Sequence, residues 1–258
     1  YPYAQRILEE IREIKEVEKA ELAGSLRRGR ETVKDMDMVV FTRKPGSVSK
    51  ALTQLSEVES VIKVGEKLTS VRFKNEMSSD MRILPMELYG SGMVHFTGSK
   101  EHGIALRNRA IKMGMKFSEY GLVKGKKIVA CQTEKEVYAG MGLEFIPPEM
   151  RENTGEIALA EKKQVPELIG YNDIKGDLHV HTNWSDGAHD TEQMVETAMR
   201  KGYEYVAITD HSKSAYVANG LDEKRLKRHM QELEKLQKKY SSIRILKGSE
   251  VDILTNGQ

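Results

Sequence analysis

Between residues 4 and 19 apolar side chains recur at helical spacing. Ile7, Leu8, Ile11 and Ile14 are separated by Glu, Arg and Lys, the pattern of an amphipathic helix with one buried stripe. The period then changes. Residues 20–26 and 36–41 read as strands joined by a basic, glycine-containing turn, 47–57 as a helix, and 70–73 and 80–84 as further strands. Strands with helices on one side predict an α+β domain. From Met86 the glycines Gly90, Gly92 and Gly98 interrupt the pattern. A basic helix is expected over 100–113, and two short strands, 116–122 and 127–129, close a small unit. A polar stretch with Pro147, Pro148 and Pro166 lacks periodicity and reads as a linker. From Lys175 the order strand–helix–strand–helix–strand predicts a parallel α/β fold.

Length and charge narrow the choice only modestly. A chain of 258 residues suits one large or two modest domains. A formal net charge of +2 neither demands nor excludes nucleic acid, so any basic surface must be local. The single cysteine, Cys131, rules out an internal disulfide framework and suits a reducing cytosol. No apolar run is long enough to span a bilayer and no signal peptide is visible, so a cytoplasmic protein without a membrane partner is expected. The chain opens with Tyr1 rather than Met, as expected of a fragment.

Candidate chemistry begins at Gly24-Ser25-Leu26-Arg27-Arg28-Gly29, which leads into Lys34-Asp35-Met36-Asp37. Asp35 and Asp37 are two apart on an expected strand, so both point to one face, with Met36, Met38 and Val40 on the other. Adjacent carboxylates repel and raise each other's pKa unless a cation sits between them. A hard divalent ion with oxygen ligands, Mg²⁺ foremost, is the natural remedy. Gly24 and Gly29 permit close backbone approach, and Ser25 and Arg28 supply donors suited to phosphate oxygens. This is the equipment of two-metal phosphoryl transfer. Asp80, on another expected strand, is the best candidate for the third carboxylate that such sites need. Taken alone, an Asp-x-Asp pair is more often a solvated strand face; the basic turn before it tips the balance.

Gly24-Ser25-x-Arg27-Arg28-Gly29 followed by Asp35-x-Asp37 resembles the signature of family X DNA polymerases, within the nucleotidyltransferase superfamily. The stretch from Arg30 to Asp35 is similar to the bacterial and archaeal branch. Asp80-Met81-Arg82 resembles the strand with the family's third catalytic aspartate, and His95-Phe96-Thr97-Gly98-Ser99 the motif that contacts the sugar of the incoming nucleotide. The resemblance implies a polymerase palm over 1–88 and a small α+β nucleotide-binding subdomain over 89–148. It implies that Asp35 and Asp37 bind two Mg²⁺ (or Mn²⁺) ions, and that Asp80 binds the catalytic one and helps deprotonate the primer 3′-hydroxyl. Gly24, Ser25 and Arg28 would hold the β- and γ-phosphates. His95 and Phe96, with Gly98, would pack on the deoxyribose. Arg82 is a candidate partner for Asp37 in the open site. Gly103 departs from the family pattern, since it stands where an asparagine contacts the minor-groove edge of the nucleotide. Either Arg107 substitutes or Arg107 is an ordinary solvated helix residue. Arg27, Arg28, Lys100, Arg107, Arg109 and Lys112 could supply basic surface for gapped or primed duplex DNA.

A second constellation follows the expected linker at 149–170. Asp177-Leu178-His179-Val180-His181 places two histidines on one strand face. Asp186 follows in the turn Trp184-Ser185-Asp186-Gly187, Asp210-His211 ends a second strand, and Gly248-Ser249-Glu250 ends a third. Ligand-type residues at the C-terminal ends of successive parallel strands define a site rather than a core. Mixed imidazole and carboxylate donors suit Zn²⁺, Mn²⁺ or Fe²⁺, ions that activate water for phosphoester hydrolysis. His189, His229 and Trp184 read as ordinary surface or packing residues. The arrangement resembles the PHP (polymerase and histidinol phosphatase) domain, a distorted (β/α)7 barrel that family X polymerases of bacteria and archaea carry C-terminally as a manganese-dependent 3′–5′ exonuclease and repair nuclease. The resemblance implies His179, His181, Asp186, His211 and Glu250 as ligands for Mn²⁺ or Zn²⁺. It also implies that residues 171–258 are the first part of that barrel, poorly stable alone and of negligible nuclease activity, and that DNA-gripping elements normally precede residue 1. The leading expectation is template-directed addition of deoxynucleoside triphosphates in base excision repair. A PHP-type phosphoesterase whose front domain only binds nucleotide or DNA, and a non-catalytic DNA-binding remnant, are the alternatives.

Overall fold

The computed structural model describes residues 1–253 and residue 255. Residues 254 and 256–258, the last of the expected PHP segment, lie outside the described residues. The chain divides into two compact units, Tyr1–Glu167 and Leu168–Gln258. Both are of mixed α and β content.

The first unit opens with α1 (Pro2–Arg12), whose buried Ala4, Ile7, Leu8 and Ile11 form the expected apolar stripe. Then come β1 (Lys19–Leu22), the single helical turn α2 (Gly24–Arg27), β2 (Asp35–Phe41), α3 (Pro45–Leu52), β3 (Val58–Lys63), β4 (Leu68–Phe73) and β5 (Ser78–Leu84). The five strands form one sheet in the order β1-β2-β5-β4-β3. Only β2 and β5 pair in parallel; the other neighbours are antiparallel. On one face Met36, Met38, Val40, Met81 and Ile83 pack with α1 and α3 into a core shared with Val48, Leu52 and Phe73. The other face changes character along its length. Asp35, Asp37 and Asp80 occupy one end, while Val39, Phe41 and Leu84 pack with Met93 at the other. Side-chain alternation along a strand produces this split, with acids at the open end and apolar groups under cover.

The remainder of this unit comprises α4 (Tyr89–Thr97), α5 (Lys100–Lys112), the antiparallel three-stranded sheet β6 (Lys116–Ser118), β7 (Gly121–Lys124) and β8 (Lys127–Ala130), then α6 (Glu134–Gly140) and α7 (Glu156–Glu161). Several elements differ from the sequence reading. Residues 24–27 are a helical turn rather than the end of a strand, because Gly24 takes φ +54 and reverses the chain there. The glycine-rich segment at 89–97 is a helix, since Gly90 and Gly92 are buried where neighbours come close. The missed helix α6 carries a capping box, Thr133 with Glu136, a signal readable in the sequence.

The stretch 149–170 is not a linker throughout. Met150, Ile157, Ala160 and Val165 join the core of α4, α5 and α6. The apolar pattern is too short to show periodicity, and buried polar contacts fix the segment instead. His102 and Glu156 are both buried. His102 Nδ1 lies 2.6 Å from Glu156 Oε1, and His102 Nε2 lies 3.0 Å from the Tyr138 hydroxyl. Glu156 also accepts the backbone N–H groups of Asn153 and Thr154 at 2.9 and 2.7 Å. Burial opposes the charge on Glu156, but the hydrogen bonds from His102 and the backbone outweigh it and hold its carboxyl below the ordinary range. A carboxylate accepting from Nδ1–H leaves Nε2 to accept from Tyr138, so every polar atom of the buried chain has a partner.

The second unit is built from β9 (Gly176–Val180), α8 (Thr191–Arg200), β10 (Tyr205–Ile208), α9 (Glu223–Lys239) and β11 (Arg244–Lys247). Its strands form a parallel sheet in the order β11-β10-β9. Val180, Val206, Ile208 and Ile245 from the sheet pack with Val195 and Ala198 of α8 and Leu233 and Leu236 of α9. Asp190 caps α8 and Asp222 caps α9 through side-chain hydrogen bonds. Among the described residues no helix is long and apolar enough to cross a membrane.

The Glu156 network yields a prediction. Glu156→Ala leaves the buried His102 and two backbone N–H groups short of an acceptor. It should destabilise the first unit by about 2–3 kcal/mol, read as a lower urea midpoint by circular dichroism. A change within about 0.5 kcal/mol would show that the segment after residue 150 is not held this way.

Candidate active sites

The register of the parallel β2–β5 pair sets Asp37 directly beside Asp80. The antiparallel β4–β5 pair sets Ser70 on the far side of Asp80, and Ser70 Oγ donates to Asp80 Oδ1 at 2.6 Å. Asp37, Asp80 and Ser70 therefore form a row across three strands, with Asp35 two residues from Asp37 on the same face and exposed. Gly24 closes the row from above. A Cβ there would lie 2.0 Å from Asp37 Oδ2, and its φ of +54 belongs to the left-handed region. The backbone N–H of Ala23 donates to the Asp37 carbonyl at 2.8 Å, which ties the basic turn to the acidic strand.

Crowding has an electrostatic consequence. Burial, then the neighbouring carboxylates of Asp35 and Asp80, push Asp37 up to about 6, while Arg82 and Arg28 pull in the opposite direction without cancelling the effect. The cluster is short of positive charge, and its donors are all carboxylate oxygens. That set fits Mg²⁺ or Mn²⁺. Asp35, Asp37 and Asp80 would hold the ion, which supplies charge neutralisation and a template for reacting oxygens.

The surrounding residues converge on this end of the sheet. Arg82 approaches Asp80 at 3.7 Å, rather than pairing with Asp37 as the sequence suggested, and its guanidinium stands 5.2 Å from the centroid of the Phe96 ring. His95 meets Phe96 edge-on and lies 3.8 Å from Glu119. Burial pushes the His95 imidazole down, against the opposing pull of Glu119. Gly98 ends α4 close to His102, where a Cβ would approach to 2.8 Å. Ser25 lies on α2 between Gly24 and Leu26. Gly103 leaves its surroundings open, with only Arg107 within 4 Å of a Cβ built there.

Three of the six arginines and lysines expected to offer basic surface are instead committed internally. Arg27 grips Glu134 with two hydrogen bonds of 2.9 and 2.7 Å and donates to Thr97 Oγ1. Arg28 donates to Glu152 at 2.7 Å and to the Thr97 carbonyl at 2.8 Å. Arg109 donates to the Met141 carbonyl and to Glu161. Glu134 also accepts from the fully buried Arg151 at 2.6 Å. Burial works against the charge on Glu134, but the two arginines outweigh it and hold its carboxyl below the ordinary range. Sequence reasoning missed Glu134, Glu152 and Arg151, because Arg27–Glu134 and Arg28–Glu152 pair across more than a hundred residues and Arg151–Glu134 across 17, and none of these leaves a local pattern.

In the second unit the five expected ligands meet at the C-terminal ends of the strands. Glu250 Oε2 lies 2.9 Å from His179 Nε2 and 2.9 Å from His181 Nε2, and the two imidazole nitrogens are 3.0 Å apart. On the other side of His181, Nδ1 lies 2.9 Å from Asp186 Oδ1, and His211 approaches Asp186 and Glu250 at 3.6 Å. These are two overlapping groups of possible metal ligands that share His181: His179, His181 and Glu250, and His181, Asp186 and His211. Hydrogen bonds from His181 and His179 hold the carboxyls of Asp186 and Glu250, respectively, below the ordinary range. Separations near 3 Å are close to the edge of a ligand octahedron around an ion at about 2.1 Å, and the N/O donor set suits Mn²⁺ or Zn²⁺. Gly187 is needed in the turn after Asp186, since a Cβ would lie 2.6 Å from the His181 carbonyl oxygen. Trp184 and His229 are packing residues, stacked with centroids 4.9 Å apart.

Comparison with known proteins finds relatives of both units. Residues 92–152 match the DNA polymerase beta thumb model, and residues 177–258 match the PHP domain model. The chain is 44% identical over 263 aligned residues to DNA polymerase/3′-5′ exonuclease PolX of Bacillus subtilis, an alignment covering 99% of this chain and 46% of that relative. It is 31% identical over 62 residues to DNA polymerase IV of Saccharomyces cerevisiae, covering 24% of this chain and 11% of that relative. The chain thus spans about half the length of the PolX relative. The first unit carries a polymerase-β-type thumb and the second a PHP domain. In both modules the chain is similar to the family X DNA polymerases that bear a PHP domain.

Three predictions follow from the acidic row. A carboxyl titrating near 6 in the fold and near 4 in the unfolded chain destabilises the ion-free fold as pH rises between those values. Asp37→Asn should therefore raise the melting temperature of the ion-free chain at pH 7.5 by a few degrees and do little at pH 4. In the unsubstituted chain Mg²⁺ should stabilise more at pH 7.5 than at pH 5.5, where protons compete; equal shifts at both pH values would contradict the site. Gly24→Ala should lower the melting temperature and weaken Mg²⁺ binding together, measured by calorimetry, because the added methyl group displaces Asp37.

Proposed function

We propose that the first unit is the catalytic core of a DNA-directed DNA polymerase, with residues 1–88 as palm and 89–148 as nucleotide-binding subdomain, and that the second is the first part of a PHP distorted (β/α)7 barrel. The observation that carries the reading is the Asp37–Asp80 pairing across the parallel strands, with Asp35 on the same face and a glycine-bounded basic turn above it. The substrates are deoxynucleoside triphosphates and a primer 3′-hydroxyl on gapped or primed duplex DNA, in a gap-filling role in base excision repair. The name of the Bacillus subtilis relative, polymerase and 3′-5′ exonuclease together, supports this assignment.

In this reading Asp35, Asp37 and Asp80 would hold the divalent ions, and Asp80 would take up the proton of the primer hydroxyl. Ser70 orients Asp80 through its 2.6 Å hydrogen bond and leaves Oδ2 facing Arg82. Ser25 and the N–H groups of the Gly24 turn face the triphosphate. Arg28 exchanges its contacts with Glu152 and Thr97 for phosphate oxygens. His95 and the Phe96 ring are the wall on which the deoxyribose packs. The PHP ligands His179, His181, Asp186, His211 and Glu250 supply a separate centre for hydrolysis of phosphoester ends, with Mn²⁺ or Zn²⁺.

Primer extension on a one-nucleotide gap with Mg²⁺ tests the reading. Asp37→Ala should lower the extension rate by at least about a thousandfold, while His181→Ala should leave it unchanged. Any Mn²⁺-dependent removal of 3′ nucleotides should show the reverse dependence. Equal extension by the unsubstituted chain and Asp37→Ala would remove the mechanism.

A further inference from the structure

The ligand nest of the second unit rests on a carboxylate that is outside both of its ligand groups. Asp210 follows the end of β10 and immediately precedes His211, and it is only 3% exposed. Its Oδ1 accepts hydrogen bonds from the Thr182 backbone N–H at 2.8 Å, the Ser185 backbone N–H at 3.2 Å and the Ser185 hydroxyl at 2.6 Å. Its Oδ2 accepts from the Thr182 hydroxyl at 2.8 Å. All four donors lie between His181 and Asp186, two members of the nest. Three donors crowd Oδ1 and one reaches Oδ2, so both oxygens of the buried carboxylate are satisfied. His229 closes the remaining side, with Nδ1 3.6 Å from Oδ2.

The chain path explains why one side chain does so much. His181 lies just beyond β9, Asp186 in the turn that follows, and His211 beyond the neighbouring β10. Among the described residues no β-ladder reaches the 182–186 turn. The Val180 carbonyl accepts the Thr209 N–H at 2.8 Å, and beyond that point Asp210 takes over from the sheet. A ligand held on an unsupported loop must be ordered when the ion arrives, which weakens binding; a buried anchor removes that cost in advance. Asp210 is covalently next to one ligand and hydrogen-bonded to the segment that joins two others.

We propose that Asp210 is a positioning residue of this nest: it clamps the Thr182–Ser185 turn so that His181 and Asp186 face His179, His211 and Glu250 before an ion binds. The proposal rests on the reading of the nest as a divalent-cation site. Asparagine at this position keeps the shape but loses the negative charge and puts an amide donor where the Thr182 hydroxyl now donates. Ser185→Ala removes one of the four donors, together with a 3.2 Å contact to Asp186 Oδ1, and keeps the carboxylate.

The test is Co²⁺ titration of the 258-residue chain, followed by the visible ligand-field absorption that imidazole ligation gives, with melting curves run in parallel. His181→Ala identifies the signal as that of the nest. Asp210→Asn should weaken Co²⁺ binding about tenfold or more and alter the absorption at saturating ion, since the ligand geometry changes. Ser185→Ala should weaken it by a smaller factor with an unchanged circular dichroism spectrum, and it decides the matter if Asp210→Asn does not fold. A folded Asp210→Asn chain with unaltered Co²⁺ affinity and absorption, even with a lower melting temperature, would overturn the proposal, as would an unaltered Ser185→Ala chain where that variant decides. If the unsubstituted chain shows no absorption that His181→Ala removes, the cation reading itself fails and the positioning role falls with it.

Discussion

Three carboxylates held against one another at the end of a sheet are the constraint around which the first unit is arranged. The parallel β2–β5 register places Asp37 beside Asp80, and strand alternation adds Asp35. The molecule gains nothing from this in the absence of a cation, because burial and mutual repulsion push Asp37 up to about 6. Its neighbours accommodate the arrangement. Gly24 leaves space above the Asp37 carboxylate, Ser70 satisfies one oxygen of Asp80, and Arg82 stands at the other. Stability conceded at such a cluster is the mark of a functional site rather than of a core.

The same unit uses its arginines to bind its parts together. Arg27, Glu134 and Arg151 form a buried chain, and Arg28 joins Glu152 to the end of α4. Buried ion pairs of this kind add little net stability but fix one arrangement, since breaking either partner strands a charge. The basic turn near the acidic row is thereby tied to the segment after residue 150. In the second unit a buried carboxylate plays the corresponding part, with Asp210 organising the turn that carries Asp186.

Much of this was legible in the sequence. Period-two alternation from Asp35 to Val40 and the ends of the three parallel strands pointed to both clusters, and the structure brings Asp37 next to Asp80 and gathers His179, His181, Asp186, His211 and Glu250. Local patterns carry this information because each ligand sits at a strand end whose direction the pattern sets. What was not legible is non-local or masked by composition. The glycines of 89–97 hid a helix, and the register of β2 against β5, which pairs Asp37 with Asp80, has no sequence signal. The prolines around 147 and 166 suggested a linker where His102 and Glu156 in fact fasten α7 to the core. Arginines that looked like free DNA-binding charge turned out to be buried or half-buried partners of distant glutamates.

The central claim is that Asp35, Asp37 and Asp80 together hold the ions that act on an incoming nucleotide. Anomalous scattering from crystals grown with Mn²⁺ and a non-hydrolysable deoxynucleoside triphosphate tests it most directly. The account predicts two Mn²⁺ peaks about 3.5–4 Å apart, both bound by Asp35 and Asp37, one also by Asp80, with the triphosphate against Ser25 and Arg28. Nucleotide bound elsewhere, or Mn²⁺ found only at the histidine nest, would contradict it.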